Sequence, residues 1–394
     1  MSRKSHPWGH PPWTVDFRPA ARLFSEQVDF AIVGGGFTGL STASWLRRLA
    51  PKKSVVVLEA SSLGEGASGR TGGLALAETA AGPLPGLGDV LAGYQKILRT
   101  LRISAGLELP GVWELGRSNP AKGSPISWSD SGNLQIVRTV PGGAVDPGKV
   151  VAGLARAAQS ATVQIVEHAE VEAIEYSNPL RLRVLQRGHP RVQRKEICAG
   201  QILLATNALS LELSGLYGKT QPKLTLALAT APLTTAQLKA IGLFSRHPFY
   251  TIDLPYLWGR LLESNGIVFG AGLVPMPTSI VSLFTKPDKP SWQFAAPNLY
   301  RFDVRKGEAA ESFRWLEGRV HHLHPVLKSV RITHRWAGPI LFTEGMHPIF
   351  RRHPQSENVL VLAGYNGHGV ALSVYLGQWA AEALLGCRPL PSWP

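Results

Sequence analysis

Two short apolar runs near the start of the chain are separated by a glycine-rich turn and a helical pattern. Residues 28–33 (VDFAIV) and 54–59 (SVVVLE) are mainly apolar, which is typical of parallel strands buried on both faces. Between them, Gly39 and Ala43 lie one helical turn apart, and Pro51 ends the helix. This order predicts a βαβ unit.

Later segments alternate between helical and strand-like patterns. Asp146 followed by Pro147 predicts the N-cap and first position of a helix that runs to about residue 158. Other predicted helices lie near 90–107, over 308–322 and after a loop at 364–369, ending at Gly386. Predicted strands cover 134–137, 163–166, 171–176, 180–186, 202–205 and 359–363, and residues 223–273 are mostly strand-like. This mixture of elements predicts an α/β protein.

The turn after the first strand has the spacing of a dinucleotide-binding fingerprint. Gly34, Gly36 and Gly39 form a GxGxxG motif, and Glu59 follows Gly39 by 20 residues at the end of the next strand. The glycines allow a tight turn, close approach of backbone amides to a pyrophosphate, and packing of the helix on the sheet. Glu59 would accept hydrogen bonds from ribose hydroxyls and would repel a 2′-phosphate. The pattern predicts a bound dinucleotide other than NADP, with a purely structural glycine turn as the alternative.

A second glycine-rich segment, residues 63–73 (LGEGASGRTGG), follows the ribose-binding strand and carries an arginine. A long, buried FAD needs such a second glycine loop, and a nicotinamide cofactor does not. With 204–208 (LATNA) and 364–371 (GYNGHGVA), the motifs resemble the D-amino-acid-oxidase-like (DAO) superfamily of FAD-dependent amine and amino-acid oxidoreductases. The resemblance covers nearly the whole chain after Val28. It is strongest to the γ-glutamylputrescine oxidase branch, which usually has Asn at the position of Thr71.

The resemblance implies an α/β fold in which a Rossmann-type FAD-binding domain is interleaved with an α+β substrate domain built on a mostly antiparallel sheet. The expected FAD-binding domain covers 28–81, 144–220 and 336–394. The expected substrate domain covers 82–143 and 221–335, and residues 1–27 are expected to form an N-terminal extension.

The resemblance also implies where FAD binds. Ser68, Arg70 and Thr71 are expected to line the pyrophosphate and isoalloxazine. The backbone near Val171 is expected to meet the adenine, and residues 367–369 the flavin N1–C2=O edge. A helix N-terminus at that edge would stabilise the anionic reduced flavin. The expected cofactor-binding residues are Gly34, Gly36, Phe37, Thr38, Gly39, Glu59, Ala60, Ser68, Arg70, Thr71, Gly72, Gly73, Val171, Thr206, Gly338, Gly364, Asn366, Gly367, His368, Gly369 and Val370.

Covalent attachment of the flavin in this superfamily needs a histidine in the second glycine loop or a cysteine after the last long helix. Residues 60–81 contain no histidine, and Trp336 stands where a covalent branch has cysteine. We therefore expect non-covalent FAD.

The substrate side is defined by fewer residues. Ala371 replaces a lysine that binds the substrate carboxylate in the sarcosine-type branch, which favours amines or larger conjugates over small α-amino acids. Asp253 is a candidate partner for a cationic amine, with a structural role as the alternative. Arg335 is a candidate partner for a carboxylate, with a structural pair with a nearby acid as the alternative. No general base is assigned, and no metal site is expected from His321, His322 and His324. The candidate substrate residues are Tyr250, Asp253, Tyr256, Arg260 and Arg335.

Lys and Arg outnumber Asp and Glu by 41 to 27, which gives a formal net charge of +14. The densest basic cluster surrounds a predicted hairpin turn at 188–190. This cluster is either the solvated face of the hairpin or a patch for an anionic partner such as RNA. No added RNA-binding segment accompanies it, so we expect no nucleic-acid partner. The cluster comprises Arg181, Arg183, Arg187, Arg191, Arg194 and Lys195.

Cys198 and Cys387 are too few for a disulfide framework, which is typical of a reducing compartment. Residues 1–22 lack the apolar stretch of a secretory signal, and no apolar run reaches the ~18 residues of a membrane span. We therefore expect a cytoplasmic protein.

The sequence thus predicts a FAD-dependent oxidoreductase. Its predicted reaction is oxidation of a C–N bond of an amine or amine conjugate to an imine, by hydride transfer to flavin N5, followed by hydrolysis. Dioxygen or a quinone is the expected electron acceptor. Two alternatives stay open: a D-amino-acid or glycine-type oxidase or dehydrogenase, and a flavin-bearing protein that binds or modifies RNA.

Overall fold

The computed structural model describes residues 6–20, 25–117, 123–187, 192–271 and 303–393. Within these residues the chain forms two eight-stranded sheets, a two-stranded sheet and seven α-helices. The helices are α1 (Phe37–Leu49), α2 (Ala67–Arg70), α3 (Val90–Thr100), α4 (Pro147–Ser160), α5 (Thr235–Ala240), α6 (Gly307–Leu323) and α7 (Gly369–Leu384). The strands are β1 (Gln27–Val33), β2 (Val55–Leu58), β3 (Leu74–Leu76), β4 (Val112–Gly116), β5 (Trp128–Ser129), β6 (Asn133–Val140), β7 (Gly142–Ala144), β8 (Gln164–Val166), β9 (Ala169–Glu175), β10 (Leu180–Gln186), β11 (Gln193–Leu204), β12 (Gln221–Thr230), β13 (Phe249–Thr251), β14 (Trp258–Leu261), β15 (Ile267–Ala271), β16 (Ile332–Phe342), β17 (Ile349–His353) and β18 (Ser356–Ala363).

The first sheet is built around the predicted βαβ unit. Its strand order is β17-β18-β11-β1-β2-β8, and the sheet is extended by β10, which pairs antiparallel with β11, and by β9, which pairs antiparallel with β10. β1 pairs in parallel with β2 and β11, so Val33, Leu58 and Leu204 end the three strands at one edge. This edge receives the first glycine turn, because carboxyl ends of parallel strands meet there.

Helix α1 packs between the first sheet and α7. A Cβ on Gly377 of α7 would lie 2.7 Å from the Cβ of Ser41, so the two helices approach closely. Ser41 Oγ donates to Val374 O at 2.7 Å, and Thr42 Oγ1 donates to Gly377 O at 2.9 Å. These contacts fix the first half of α1 relative to the middle of α7.

The second sheet has the order β16-β12-β15-β14-β13-β4-β6-β5 and is antiparallel except for the pair β13–β4. One of its faces packs on α5 and α6, where Leu238 and Phe313 are buried. The other face carries Ala229, among other small side chains, together with Trp336 of β16, and packs against Trp13. The predicted α/β fold with a mostly antiparallel second sheet is confirmed.

Two predicted elements differ from those observed. The helix predicted near 90–107 ends at Thr100, because Arg102 adopts a φ of +55° and the Ile103 N–H closes the helix on Leu98 O at 2.8 Å. The strand-like stretch 223–273 is interrupted by α5, which starts with a reciprocal capping box between Thr234 and Gln237. The predicted turn at 188–190, together with Arg191, lies outside the described residues.

The positions of helix α3 and strand β16 can be compared with the predicted domain limits. Helix α3, from the segment assigned to the substrate domain, packs against α7 and buries Tyr94 and Ile97 in the core beside the first sheet. Strand β16 lies wholly in the second sheet, although a predicted limit falls within it at residue 336. The limits themselves stay a prediction.

Candidate active site

Three glycines shape the turn between β1 and α1. Gly34 has a φ of +108°, and its N–H donates to Leu58 O at 2.8 Å. A Cβ on Gly39 would lie 2.0 Å from Gly34 O, and one on Gly36 would lie 2.8 Å from Ser68 Oγ. A side chain at these positions would fill the space through which a pyrophosphate approaches backbone amides, so the turn fits a dinucleotide.

Gly36 is the N-cap residue of α1 and has no side chain with which to cap the helix. The Phe37 N–H donates to Ser68 Oγ at 2.9 Å, which joins α1 to the second glycine loop. Thr38 Oγ1 lies 2.6 Å from Tyr365 OH, which joins α1 to the loop before α7. The helix start therefore offers amide donors and a partial positive charge to an anion such as a pyrophosphate.

Glu59 follows β2 with its carboxylate turned toward the first glycine turn. Its Oε2 accepts the Gly35 N–H at 2.8 Å, and its Oε1 accepts the Ser61 N–H at 2.9 Å. Burial raises the pKa of Glu59, aided by the charges of Glu167 and Glu65 and opposed by the two hydrogen bonds. The carboxylate is held at the strand end where the predicted ribose would lie.

Three further predicted cofactor residues lie around the same edge of the first sheet. Val171 is buried in β9, and β9 bonds to the Glu59 carbonyl through the Ala169 N–H at 2.8 Å. Ala60 is exposed directly after Glu59, and the half-buried Thr206 follows β11. Their cofactor roles stay predictions.

Arg70 is buried and its guanidinium binds backbone carbonyls. Its Nε donates to Glu65 O at 2.8 Å and its Nη1 to Gly9 O at 2.9 Å. Nη1 also lies 3.3 Å from Trp8 O and 3.4 Å from Ala337 O, and the guanidinium sits over the Trp8 ring. A contact of this side chain with the pyrophosphate would compete with these bonds. The structure shows Arg70 tying the N-terminal segment to the second glycine loop.

The N-terminal segment is part of the site's support, which sequence reasoning missed. Gly9 forms a β-bridge with Trp336. The Trp13 Nε1–H donates to Gly69 O at 2.7 Å, and the Trp13 ring packs edge-on against Trp336 with centroids 5.4 Å apart. Two tryptophans in a short proline-rich segment were the available signal, because such large side chains are usually buried.

The end of the second glycine loop lies flat against the second sheet. A Cβ on Gly72 would lie 2.1 Å from the Trp258 ring, and Gly73 has a φ of +82°. The Thr71 Oγ1 accepts the Gly73 N–H at 3.4 Å. Gly338 of β16 also faces this loop, since a Cβ on Gly338 would lie 3.2 Å from the Cβ of Arg70. These predicted cofactor residues are brought together at the junction of the two sheets.

The loop before α7 is held by a buried asparagine. Asn366 has a φ of +51°, its Nδ2 donates to Gly364 O at 2.7 Å, and its Oδ1 accepts the Thr343 N–H at 2.8 Å. The Gly364 N–H donates to Asn207 Oδ1 at 3.0 Å. The bonds connect the ends of β11, β16 and β18 around the start of α7.

His368 is the N-cap residue of α7, and no side chain caps this helix. Burial lowers the pKa of His368, so the imidazole is neutral at pH 7. Gly367 has a φ of +88° with open space around it, and Gly369 and Val370 begin the helix. The start of α7 thus offers unpaired amides and a positive helix end, which fit the predicted flavin edge.

Among the substrate candidates, Tyr250 belongs to a polar group on the second sheet. Its hydroxyl donates to Glu114 Oε1 at 2.6 Å, and Arg138 pairs with the same buried carboxylate. Burial, followed by the hydrogen bond to Glu114, raises the pKa of Tyr250. The phenol therefore stays protonated across the physiological range.

Asp253 belongs to an arginine–aspartate cluster. It pairs with Arg117, whose Nη2 also lies 2.5 Å from Asp130 Oδ2, and Arg319 Nη2 lies 2.7 Å from the same Asp130 oxygen. Arg319 Nη1 further donates to the carbonyl of the exposed Tyr256 at 2.8 Å. An amine at Asp253 would have to compete with Arg117, so the structural alternative raised for Asp253 describes its observed contacts.

The two candidate arginines are also engaged. Arg260 is buried over the Trp13 ring, and its Nε donates to Gly72 O at 2.5 Å. Burial lowers the pKa of Arg260 to about 10, which leaves it charged at pH 7. Arg335 pairs with Glu317 of α6. Arg260 therefore supports the second glycine loop, and Arg335 forms the structural pair that was its alternative.

Sequence reasoning missed Glu78, an exposed carboxylate two residues after β3. Its charge adds to the effects of burial and Glu114 that raise the pKa of Tyr250, and it opposes the burial that lowers the pKa of His368. The signal available was an acid shortly after the second glycine loop.

The basic cluster lies on a three-stranded extension of the first sheet and is largely paired. The pairs link β10 and its neighbours to glutamates on β9 and β11, which favours a solvated face over a nucleic-acid patch. They are Arg181–Glu196 at 3.0 Å, Arg187–Glu170 at 2.6 Å and Arg194–Glu172 at 3.1 Å.

Within the described ranges, no helix is both long and apolar enough to cross a membrane. In the same ranges, no three His, Cys, Asp or Glu side chains are arranged to hold a metal ion. The predicted histidine group is instead bonded locally, with His321 Nε2 at 3.1 Å from Val330 O and His324 Nδ1 accepting the Val326 N–H.

Two sheets joined by glycine loops, with two open helix N-termini at their junction, define an FAD-binding oxidoreductase architecture. The family model described as DAO, FAD dependent oxidoreductase, matches residues 29–383, and the chain belongs to this family.

Similar proteins agree with this assignment. γ-Glutamylputrescine oxidoreductase of Escherichia coli is 26% identical over 411 residues, covering 92% of this chain and 84% of the relative. Glycine oxidase of Geobacillus kaustophilus superimposes with a TM-score of 0.65 at 18% identity, over 94% of this chain and 97% of that one. L-Amino acid deaminase of Proteus myxofaciens gives a TM-score of 0.67 at 15% identity, over 97% of this chain and 94% of that one. The protein is therefore an FAD-dependent oxidoreductase.

Proposed function

We propose that this enzyme binds FAD non-covalently and oxidises a C–N bond of an amine or amine conjugate. Non-covalent binding is supported by Trp336, which occupies the position of the attaching cysteine of a covalent branch. Trp336 is fully buried, and its Nε1–H donates to Arg70 O at 2.9 Å. An indole held in this way provides no nucleophile for the flavin.

The residues present fit FAD at both of its ends. The amides at the start of α1, with Ser68, would hold the pyrophosphate, and Glu59 would accept bonds from the ribose. The start of α7, at His368, would face the flavin N1–C2=O edge. When bound, FAD accepts at N5 the hydride that the substrate carbon loses, which leaves an imine that water hydrolyses.

The protein's own groups favour a neutral reacting amine. The nitrogen lone pair must form the new C=N bond, and the N–H proton leaves to water. His368 is uncharged at pH 7 because burial lowers its pKa, and Tyr250 keeps its proton because burial raises its pKa. Neither group places an extra charge beside the reacting C–N bond.

The observation that carries the preference for amines over α-amino acids is the ion pair of Arg335 with Glu317. A substrate carboxylate at Arg335 would have to displace this partner. In addition, Ala371 is fully buried in the first turn of α7 and offers no charge.

The proposal is tested by anaerobic reduction of the purified yellow holoenzyme. Primary and secondary amines are expected to bleach the flavin faster than glycine, sarcosine or D-alanine. Rapid bleaching by one of these amino acids would instead support the glycine-oxidase-type alternative. Acid precipitation is expected to release intact FAD into the supernatant, and flavin retained in the pellet would refute non-covalent binding.

We also propose a cytoplasmic enzyme whose electron acceptor is dioxygen or a quinone. Mixing amine-reduced enzyme with aerated buffer or with a soluble quinone under argon distinguishes the two acceptors. The faster return of the oxidised flavin spectrum identifies the acceptor.

A further inference from the structure

A cavity of about 410 Å³ lies between the segment after β3 and the start of α3. Its volume falls within the range of ordinary small-molecule sites, about 300–1,000 Å³. Leu84, Leu87, Leu91 and Pro141 supply much of its apolar wall, and Glu78 and Asp89 are its carboxylates. The cavity suits a ligand with an apolar chain and a positive charge.

The two carboxylates differ in how they are engaged. Asp89 is the N-cap of α3, and its Oδ1 accepts the Ala92 N–H at 2.9 Å. No hydrogen bond or ion pair joins Glu78 to another residue in the described part of the chain, and Arg138, on which its charge acts, has Glu114 as its own ion-pair partner. Glu78 is therefore the group in the wall that is available to a cation.

The cavity is attached to both elements that form the predicted flavin site. Glu78 follows β3, which continues directly from the second glycine loop. The opposite wall is fixed to α7 by Tyr375, whose hydroxyl donates to Leu87 O at 2.7 Å. The charge of Glu78 also acts on Tyr250 and His368, as described above. The cavity therefore adjoins two elements of the predicted flavin site, the end of the second glycine loop and α7.

We propose that the cavity binds a part of the substrate away from the reacting C–N bond, namely an apolar chain bearing a second cationic group that pairs with Glu78. The inference rests on the proposed amine oxidation. The reacting nitrogen must be neutral to form the imine, so the cation paired with Glu78 belongs to another group. A carboxylate at that end of the chain would be repelled by Glu78 and poorly solvated by the leucine wall.

Three probes with the same five-carbon chain test the proposal: pentylamine, 1,5-diaminopentane and 5-aminopentanoate. Their dissociation constants are measured from the saturation of anaerobic flavin reduction in the holoenzyme. We expect 1,5-diaminopentane to bind about fivefold more tightly than pentylamine, as for a partly solvated ion pair. We expect 5-aminopentanoate to bind most weakly.

Two substitutions assign this preference to one side chain. Glu78→Gln is expected to abolish the advantage of the diamine while leaving pentylamine unchanged, and Glu78→Lys is expected to reverse the order in favour of 5-aminopentanoate. Glu357→Gln is the matched control, because it removes the same charge from an exposed position in β18. It is expected to leave all three constants unchanged.

The outcomes separate this inference from the proposed function. If the amines reduce the flavin but the diamine has no advantage, or Glu78→Gln retains the advantage, the inference is overturned and amine oxidation stands. If no amine reduces the flavin, amine oxidation fails. In that case, binding of 1,5-diaminopentane to the oxidised holoenzyme is measured by calorimetry. Binding that Glu78→Gln weakens would support the inference about the cavity, and binding that Glu78→Gln leaves unchanged, or no binding, would overturn it.

Discussion

The predicted cofactor side and the predicted substrate side of this molecule are built from different parts. On the cofactor side, backbone amides and absent side chains form the site, as at Gly36 and Gly39, where a Cβ would meet neighbouring atoms. On the substrate side, charged side chains neutralise one another across the second sheet, as in the Arg117–Asp130 and Arg335–Glu317 pairs. We therefore expect cofactor binding to depend on the shape of the backbone. We expect substrate binding to depend on which charged side chains are not already paired within the protein.

The largest expected effect of a substitution lies on the substrate side, in the arginine–aspartate cluster. Asp130 is buried between Arg117 and Arg319, so Asp130→Ala leaves two buried guanidinium groups without their shared partner. Removing one member of a buried ion pair costs about 3–5 kcal/mol. Urea denaturation is expected to show a loss of this size in the free energy of unfolding.

Asp253→Asn is the matched comparison in the same cluster. The Asp253 side chain is 36% exposed against 4% for Asp130, so its pair with Arg117 is screened by water. The expected loss is within about 1 kcal/mol. Unchanged stability in Asp130→Ala would show that the cluster is not a structural unit. A higher KM for amines in Asp253→Asn would return Asp253 to the substrate site.

The second prediction concerns the predicted cofactor side, where Gly39→Ala adds a single methyl group at the first glycine turn. Gly39→Ala places a Cβ 2.0 Å from Gly34 O, so the start of α1 must move away from the first glycine turn. Overpacking of this kind costs about 1–3 kcal/mol, and the displaced amides no longer fit the pyrophosphate. We expect a lower free energy of unfolding and a reduced flavin-to-protein ratio after purification.

Gly318→Ala provides the control for Gly39→Ala. Gly318 lies inside α6, and a Cβ there would meet no atom within 4 Å. Alanine is favoured over glycine in a helix by about 0.5–1 kcal/mol, so this variant is expected to be slightly more stable and fully flavinated. Equal flavin loss in both variants would mean that the first glycine turn does not hold the dinucleotide.

The same contrast explains what the sequence could predict. The strand predicted at 28–33 is observed as Gln27–Val33, and the glycine turn follows it, because tight turns and helix packing depend on residue types a few positions apart. The partners of Asp253 and Arg335 were not predictable, since Arg117 lies 136 positions from Asp253. Only the tertiary fold brings such charges together.

Sequence patterns did not predict that the N-terminal segment supports the candidate site, and they did not single out Glu78. Arg70 lies in a motif that resembles a cofactor loop, yet its guanidinium binds the carbonyls of Trp8 and Gly9, about sixty positions earlier. Glu78 has no motif around it, and its proposed role rests on the cavity that it lines.

The last prediction concerns the predicted cofactor side, where Glu59 is a charged group among backbone donors and glycines. Glu59→Gln removes the charge but keeps the size of the side chain. Hydrogen bonds to charged groups contribute about 1.5–3 kcal/mol, so FAD is expected to bind about tenfold more weakly in fluorescence titrations of the FAD-free protein. Unchanged affinity would place the ribose away from Glu59.

The same substitution is expected to stabilise the FAD-free protein. Burial raises the pKa of Glu59, so the folded chain binds a proton at this carboxyl more readily than the unfolded chain does. The ionised carboxylate therefore lowers the free energy of unfolding at pH 7, and this penalty disappears as the pH falls through the raised pKa toward the ordinary value of 4.5. The stability advantage of Glu59→Gln over the wild type should be largest at neutral pH and shrink on acidification, while Glu357→Gln, at an exposed site, should show no such trend. An advantage that is independent of pH would show that the buried charge is not its cause.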